Sequence, residues 1–294
     1  DTAEFQTCLG KWVEHLQFSL KGRTIAIDGK TLRGSHDHAS GQKPLHVINA
    51  WAKHVSFCLG SISVDDKSNE IPAVQELLSV LNLKGGVVTA DAMHCQKETV
   101  KKIIEKDADY VIQVKGNQQA LLNAIKSEMD RCEAENYASP KVRRQTINER
   151  NRTREETRTC IVAPAPAELK SRWAGLKTIG LICRTRTLAD GTEQTDVSYF
   201  ISSLETRVRP HMQHLRNHWS VENSLHHSLD VTFAEDASRI RKGNGPEIIS
   251  AFRRLGLSIL KSDTTIKDNV RGKRLLAGWN LNNLKMILSA FQTT

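Results

Sequence analysis

The chain has 294 residues, of which 39% are hydrophobic and 26% charged, with a formal net charge of +9. That length gives room for one large or two ordinary domains with a sizeable core. No apolar run approaches a membrane span and no secretory signal opens the chain, which points to a cytoplasmic protein with no membrane partner. The six cysteines, at 8, 58, 95, 132, 160 and 183, include no Cys-x-x-Cys pair. This excludes a zinc ribbon and suits reduced thiols in a reducing compartment. The first residue is Asp1 rather than methionine, as expected of a fragment or a processed chain. The charge is unevenly spread: net −2 over residues 1–140, +8 over 141–186, −5 over 187–238 and +7 over 239–275. Two basic blocks around an acidic one point to a polyanionic partner.

Phe5, Leu9, Trp12, Val13, Leu16 and Leu20 predict an N-terminal helix with one apolar face. Ile25-Ala26-Ile27 then runs uninterrupted into Asp28, which reads as a strand covered on both faces that delivers a carboxylate at its rim. Asp28-Gly29 on its own is also a common turn dipeptide. Strands are expected at His46–Ala52 and Val55–Val64, joined tightly at Lys53-His54, giving an antiparallel meander. Ser68 to Pro72 reads as a helix start, and Ile71, Val74, Leu77, Leu78 and Leu81 continue at helical spacing. Val87 to Ala90 repeats the opening pattern and delivers Asp91. A charged helix over 97–107, a strand over Tyr110–Asn117 and a helix over Gln118–Asn136 follow. This alternation predicts a parallel portion of the sheet. Residues 140–202 read as a β-rich insertion with a basic face, including a hairpin turn at Asp190-Gly191. Helix returns over 206–230, then a basic loop over Ala237–Asn244 and an amphipathic helix over Pro246–Lys261. The expected divisions are an N-terminal helix (1–22), a core in two parts (23–139 and 203–294) and the insertion between them.

Asp28 and Asp91 both follow apolar strands. If those strands lie side by side and parallel, the two carboxylates converge, and a hard cation such as Mg²⁺ relieves their repulsion with oxygen ligands. Glu222 is a third acid, next to the Val221, Leu225 and Leu229 stripe. Asp65, Asp66, Asp230, Glu235 and Asp236 compete with it on residue type alone. A different metal reading comes from His211, His214, His218 and Glu222, which share one helical face, with His94 beside Cys95. Such a stripe offers ligands to Zn²⁺, against a plain role facing solvent or phosphate.

The segments IAIDGKTLRGS, DDKSNEIPAV, VTADAMHCQK, ADYVIQVKGNQ, HWSVENSLHHSLDVTFAEDASRIRKGN and RRLGLSILK together resemble the ISAs group of bacterial insertion-sequence transposases, which includes the H-repeat-associated proteins. The resemblance runs in order from about residue 5 to about residue 290. It implies an α/β fold with an RNase H-like mixed sheet flanked by helices, and a β-rich insertion before the last catalytic helix. It also implies a DDE triad holding two Mg²⁺ ions, with Mn²⁺ as a substitute, and places that triad at Asp28, Asp91 and Glu222. Related transposases carry a tyrosine and an arginine before the glutamate and a lysine after it. Those positions correspond to Leu215, His218 and Leu229 here, which leaves Lys115 or Lys242 for the helper cation, and His227 stands in place of an aromatic residue. The longer N-terminal helical region of such proteins is expected to be missing.

The activity so implied is cutting and joining of double-stranded DNA, transposon ends and target, by two-metal phosphoryl transfer, with a homodimer on DNA as the plausible assembly. A catalytically silent DNA-binding relic and a metal nuclease without strand transfer are the alternatives. Lys30, Arg33, Lys115, Arg239, Arg241 and Lys242 are the expected phosphate contacts, from their positions beside the acidic motifs. Asn223 joins them as a DNA-contact candidate, and Trp219 is either a base-stacking platform or a core side chain.

Overall fold

A computed structural model describes residues 4, 8, 10–12, 16, 19–36, 41, 43–64, 70–151, 154–187 and 190–292. Most of the predicted N-terminal helix, and Asp65 and Asp66, lie outside the described residues. The chain forms two compact units, one of residues 1–84 with 217–294, the other of residues 85–216.

The first unit opens with β1 (Thr24–Thr31), β2 (His46–Ala52) and β3 (Phe57–Val64). They form the predicted antiparallel meander, with Asp28 opposite Asn49. Thr24 to Ile27 are buried and β2 is buried throughout, as an apolar run covered on both faces requires. Asp28 does not end its strand as expected. β1 continues through Lys30, because Lys30 is held inside the unit. Between β2 and β3 the chain turns through Lys53–Val55, and Ser56 closes the turn in the left-handed region at φ 52°. Helix α1 (Glu70–Val80) buries Val74, Leu77 and Leu78, the positions that the helical spacing picked out.

The second unit runs β4 (Val87–Ala90), α2 (Lys97–Glu105), β5 (Asp109–Val114), α3 (Gln119–Ala134), β6 (Arg143–Asn151), β7 (Arg154–Pro164), α4 (Ala167–Arg172), β8 (Thr178–Thr187) and β9 (Glu193–Ser202). Its strand order is β4-β5-β9-β8-β7-β6. β4 and β5 are parallel, as the intervening helix predicts, and the other pairs are antiparallel. The predicted insertion is hydrogen-bonded into this same sheet, because β9 pairs with β5 from Val111↔Ser202 to Val114↔Tyr199. Its first hairpin, β6 and β7, was hidden in the sequence by charge. On the sheet, alternate residues pair their charges: Arg158 with Glu156, Arg186 with Glu156 and Arg184 with Asp196. Toward the other end, Val87, Val111, Cys160, Val162 and Phe200 pack with Met212 and Leu215.

Helix α5 (Val208–His218) carries the chain back to the first unit. A π-helical turn (Val221–His226) leads into α6 (His227–Phe233), and then come α7 (Gly245–Ser262), α8 (Val270–Trp279) and α9 (Leu281–Gln292). All six cysteines are free thiols. Among the described residues no helix is long and apolar enough to cross a membrane.

Candidate active site

Side chains alternate along a strand, so Ala26, Asp28 and Lys30 share one face of β1, beside Trp51, Asn49 and Val47 of β2. That face packs against the π turn and α6. Ala26 and Trp51 join Val221, Leu225, Leu229 and Leu257 in one buried cluster. Two strand residues advance ~6.8 Å and four helical residues ~6 Å, so strand and helix keep step along the contact. Asp28 therefore meets His226, with Oδ2 3.6 Å from Nδ1. Lys30 meets Asp230, four residues on, at 2.8 Å. Glu222 lies four residues before His226, is exposed, and sits within the π turn. Such turns widen one coil of a helix and recur at functional sites.

Lys30 is 7% exposed and also bonds Asp236 at 2.8 Å. Its charge is taken up by two carboxylates inside the unit, so it is poorly placed for the phosphate contact expected of it. Arg33, by contrast, is 86% exposed, with Nε 3.6 Å from Asp236 Oδ2. Gly34 lets the Arg33–Ser35 turn approach this acidic loop. A Cβ at that position would stand 2.6 Å from the carbonyl oxygens of both Asp236 and Ser238. Arg241 Nε donates to the Gly34 carbonyl at 3.4 Å, while Arg239 and Lys242 are exposed. Trp219 is also exposed, edge-on to His218, which removes the core alternative for it. Asn223 is exposed, and its Nδ2 donates to the Trp219 carbonyl at 3.1 Å.

Behind Asp28 lies a buried polar layer that the sequence reading missed. Arg254 of α7 donates from Nε to Asn49 Oδ1, and from Nη1 to Glu235 Oε1 at 2.8 Å and to the Ser250 carbonyl at 3.0 Å. Asn49 Nδ2 in turn reaches the Val47 carbonyl at 3.1 Å, the Asp28 carbonyl at 3.3 Å and His226 Nε2 at 3.4 Å. Asn49, Glu235 and Arg254 are essentially inaccessible. Burial, then the Arg254 and Lys30 charges, lower the pKa of His226 to about 3, so its ring is neutral. The signals were present. Asn49 is the polar residue in the buried run VINAWA, and Arg254 occupies a core position of an amphipathic helix. Nearby, Thr31 Oγ1 lies 2.8 Å from His46 Nδ1, and His46 Nε2 pairs with Glu70 at 2.9 Å.

Asp91 and Lys115 belong to the second unit. Both are exposed, and each follows directly on the carboxyl end of one of the two parallel strands, β4 and β5. The histidine stripe does not face solvent or phosphate as one reading had it: His211, His214 and His218 are all buried. His211 donates from Nδ1 to the Arg207 carbonyl at 2.6 Å and stacks on Phe200. Burial lowers its pKa and pushes that of His214 to about 4. Among the described residues no group of three or more His, Cys, Asp or Glu is placed to hold a metal ion, so neither zinc at the stripe nor a closed triad is seen. Asp28, Asp91 and Glu222 nonetheless fit a hard divalent cation in kind, since all three are oxygen donors.

Residues 19–253 match the family described as "Transposase DDE domain". The chain is 37% identical to the "H repeat-associated putative transposase YhhI" of Escherichia coli K12, over 98% of this chain and 77% of that protein. It is 36% identical to the "Putative transposase YncI" of Escherichia coli O157:H7, over 99% of this chain and 75% of that protein. Another E. coli K12 relative, "Putative protein YbfL", is 37% identical over 98% of this chain and 77% of its own length. With most of its length matched both to the family and to these relatives, the chain belongs to the DDE transposases, among those similar to H-repeat-associated proteins.

Proposed function

We propose that this chain carries the catalytic centre of an insertion-sequence transposase, an RNase H-like core that cuts and joins double-stranded DNA with Asp28, Asp91 and Glu222 as its metal-binding triad. The observation that carries the reading is the packing of β1 on the π turn, which sets a half-buried Asp28 on an element abutting the one that bears Glu222. Asp91, exposed at a strand end of the second unit, supplies the third carboxylate. Divalent ions bound by such a set, Mg²⁺ or Mn²⁺, supply an activated oxygen nucleophile and stabilise the leaving oxygen at phosphorus. The protein's own part is to hold the carboxylates and to bind the strand. Arg33, Arg239, Arg241, Lys242 and Lys115 would engage phosphates, Lys115 or Lys242 as the helper cation, with Asn223 beside them and Trp219 open to stack on an unpaired base. A homodimer on DNA is the assembly proposed.

The test is incubation of the purified chain with supercoiled plasmid carrying the element's ends, in Mg²⁺ or Mn²⁺. Cleavage with strand transfer is expected from the parent, and neither from Asp28→Asn, Asp91→Asn or Glu222→Gln. Cleavage without joining would make the chain a nuclease, and DNA binding without cleavage a relic. Full activity of Asp28→Asn would show the triad to be wrongly assigned.

A further inference from the structure

We propose that Arg254, acting through Asn49, fixes the tautomer of His226 so that its Nδ1–H points at the Asp28 carboxylate. His226 and Asn49 would thus be positioning residues for the first acid of the site. This rests on the transposase reading for its purpose, though not for its geometry.

The contacts run outward from the buried guanidinium of Arg254. A guanidinium carries only donors. The Asn49 atom that receives Arg254 Nε must therefore be the carbonyl oxygen, which settles the orientation of the amide. Glu235 and the Ser250 carbonyl hold the guanidinium in place from its other side, and Glu235 also neutralises it. Arg254 is 2% exposed and Glu235 0%, so no solvent competes for these bonds. With its oxygen so engaged, Asn49 turns its NH₂ toward the Val47 carbonyl, the Asp28 carbonyl and His226 Nε2, two hydrogens shared among three acceptors. An amide NH₂ cannot accept, so His226 Nε2 must accept. A neutral imidazole accepting at Nε2 carries its proton at Nδ1. Nδ1 is the atom that faces Asp28, 3.6 Å from Oδ2.

At that distance the contact is an oriented electrostatic one, longer than a settled hydrogen bond. It is the kind of contact that shortens when a site is loaded. A carboxylate on a strand can turn about its Cβ–Cγ bond. An N–H held on one edge, from the last residue of the π turn that carries Glu222, limits that turning. Asp28 and Asn49 are direct cross-strand partners in β1 and β2, so the Asp28 backbone and the tautomer of its neighbour are set by the same amide.

The test uses the full chain with ¹⁵N-labelled histidine. The His226 signal is assigned by its loss in His226→Gln, and tautomers are read from the ring nitrogen shifts. The parent should show the proton on Nδ1. In Asn49→Asp, an isosteric carboxylate can only accept from His226. The proton should move to Nε2 and leave a lone pair facing Asp28. Mn²⁺ alone, followed by its electron paramagnetic resonance signal, gives the second readout. Asn49→Asp and His226→Ala should each bind Mn²⁺ about 10- to 100-fold more weakly, the usual cost of losing a residue that orients a ligand. For Asn49→Asp this opposes the added negative charge, which by itself would tighten cation binding. His226→Asn places an amide N–H near the former Nδ1 and should recover most of the loss. In plasmid cleavage, kcat should fall with KM for DNA unchanged, and circular dichroism melts identify any variant that fails to fold.

An Nε2–H tautomer in the parent would overturn the proposal, as would parent-like Mn²⁺ affinity in His226→Ala, or equal losses in His226→Ala and His226→Asn. If the parent neither binds Mn²⁺ nor cuts DNA, the transposase reading fails, and the tautomers of the parent and Asn49→Asp still decide the relay.

Discussion

Replacing His214 with glutamine should flatten the acid sensitivity of the second unit. His214 lies on α5, 5% exposed, and its pKa is lowered from 6.5 to about 4, chiefly by burial and then by His211, with Asp109 opposing. The folded state thus favours the neutral ring. The stabilisation is complete above the unfolded pKa near 6.5 and is lost as pH falls toward 4, because the unfolded chain gains a proton that the folded one refuses. Linkage from those two values gives a loss of about 2 kcal/mol by pH 5 and about 3 kcal/mol by pH 4. Urea unfolding at pH 7.5, 6, 5 and 4, followed by a probe within residues 85–216, measures it. Taking the difference between parent and His214→Gln cancels the carboxylates that titrate in the same range. The parent should lose about 2 kcal/mol more than the variant between pH 7.5 and 5. Identical pH slopes would refute the reasoning and show that the ring reaches water. Adding Zn²⁺ should leave both curves in place.

Lys30→Met should cost about 1–2 kcal/mol, since it leaves Asp230 and Asp236, each about a third exposed, facing one another without their shared cation. The same variant should keep the parent's salt dependence of DNA binding. Arg33→Ala and Lys242→Ala should instead each reduce the slope of log K against log salt by about 1 in a fluorescence anisotropy titration. An unchanged slope removes that residue from the phosphate contacts. Gly34→Ala should destabilise the first unit by about 1–3 kcal/mol in a thermal melt, because its Cβ meets two backbone carbonyls that have nowhere to go. A melt like the parent's would show that the Arg33–Ser35 turn can retreat.

Much of the fold was legible because its elements follow simple periodicities. The apolar runs became β1, β2 and β4, and the 3.6-residue patterns became α1, α2 and α7. β6 and β7 were obscured because their alternation is charge against charge, and that balance is visible only once Arg158 of β7 faces Glu149 of β6 and Arg150 of β6 faces Glu155 of β7. Joining of the insertion to the second unit's sheet was equally out of reach, since the β5–β9 pairing links residues some ninety positions apart. At the site, the resemblance named Asp28, Asp91 and Glu222, and local spacing gave their strands and helix. The layer beneath Asp28 could not be read that way. Asn49, His226, Glu235 and Arg254 come from four separate segments, and each alone reads as an ordinary polar residue.

The division of the chain also orders its folding in time. Residues 85–216 are continuous, so every strand of the second unit is present once Arg216 has been synthesised. The first unit is split, and β1 must wait for the π turn, Leu229, Arg254 and Leu257 to emerge before its inward face is covered. Domains fold as their residues become available during synthesis. Asp28 precedes the second unit in the chain, yet the elements that bury its strand arrive only after that unit. A nascent chain that ends before Val221 therefore carries Asp28 on a strand whose inward face is still uncovered.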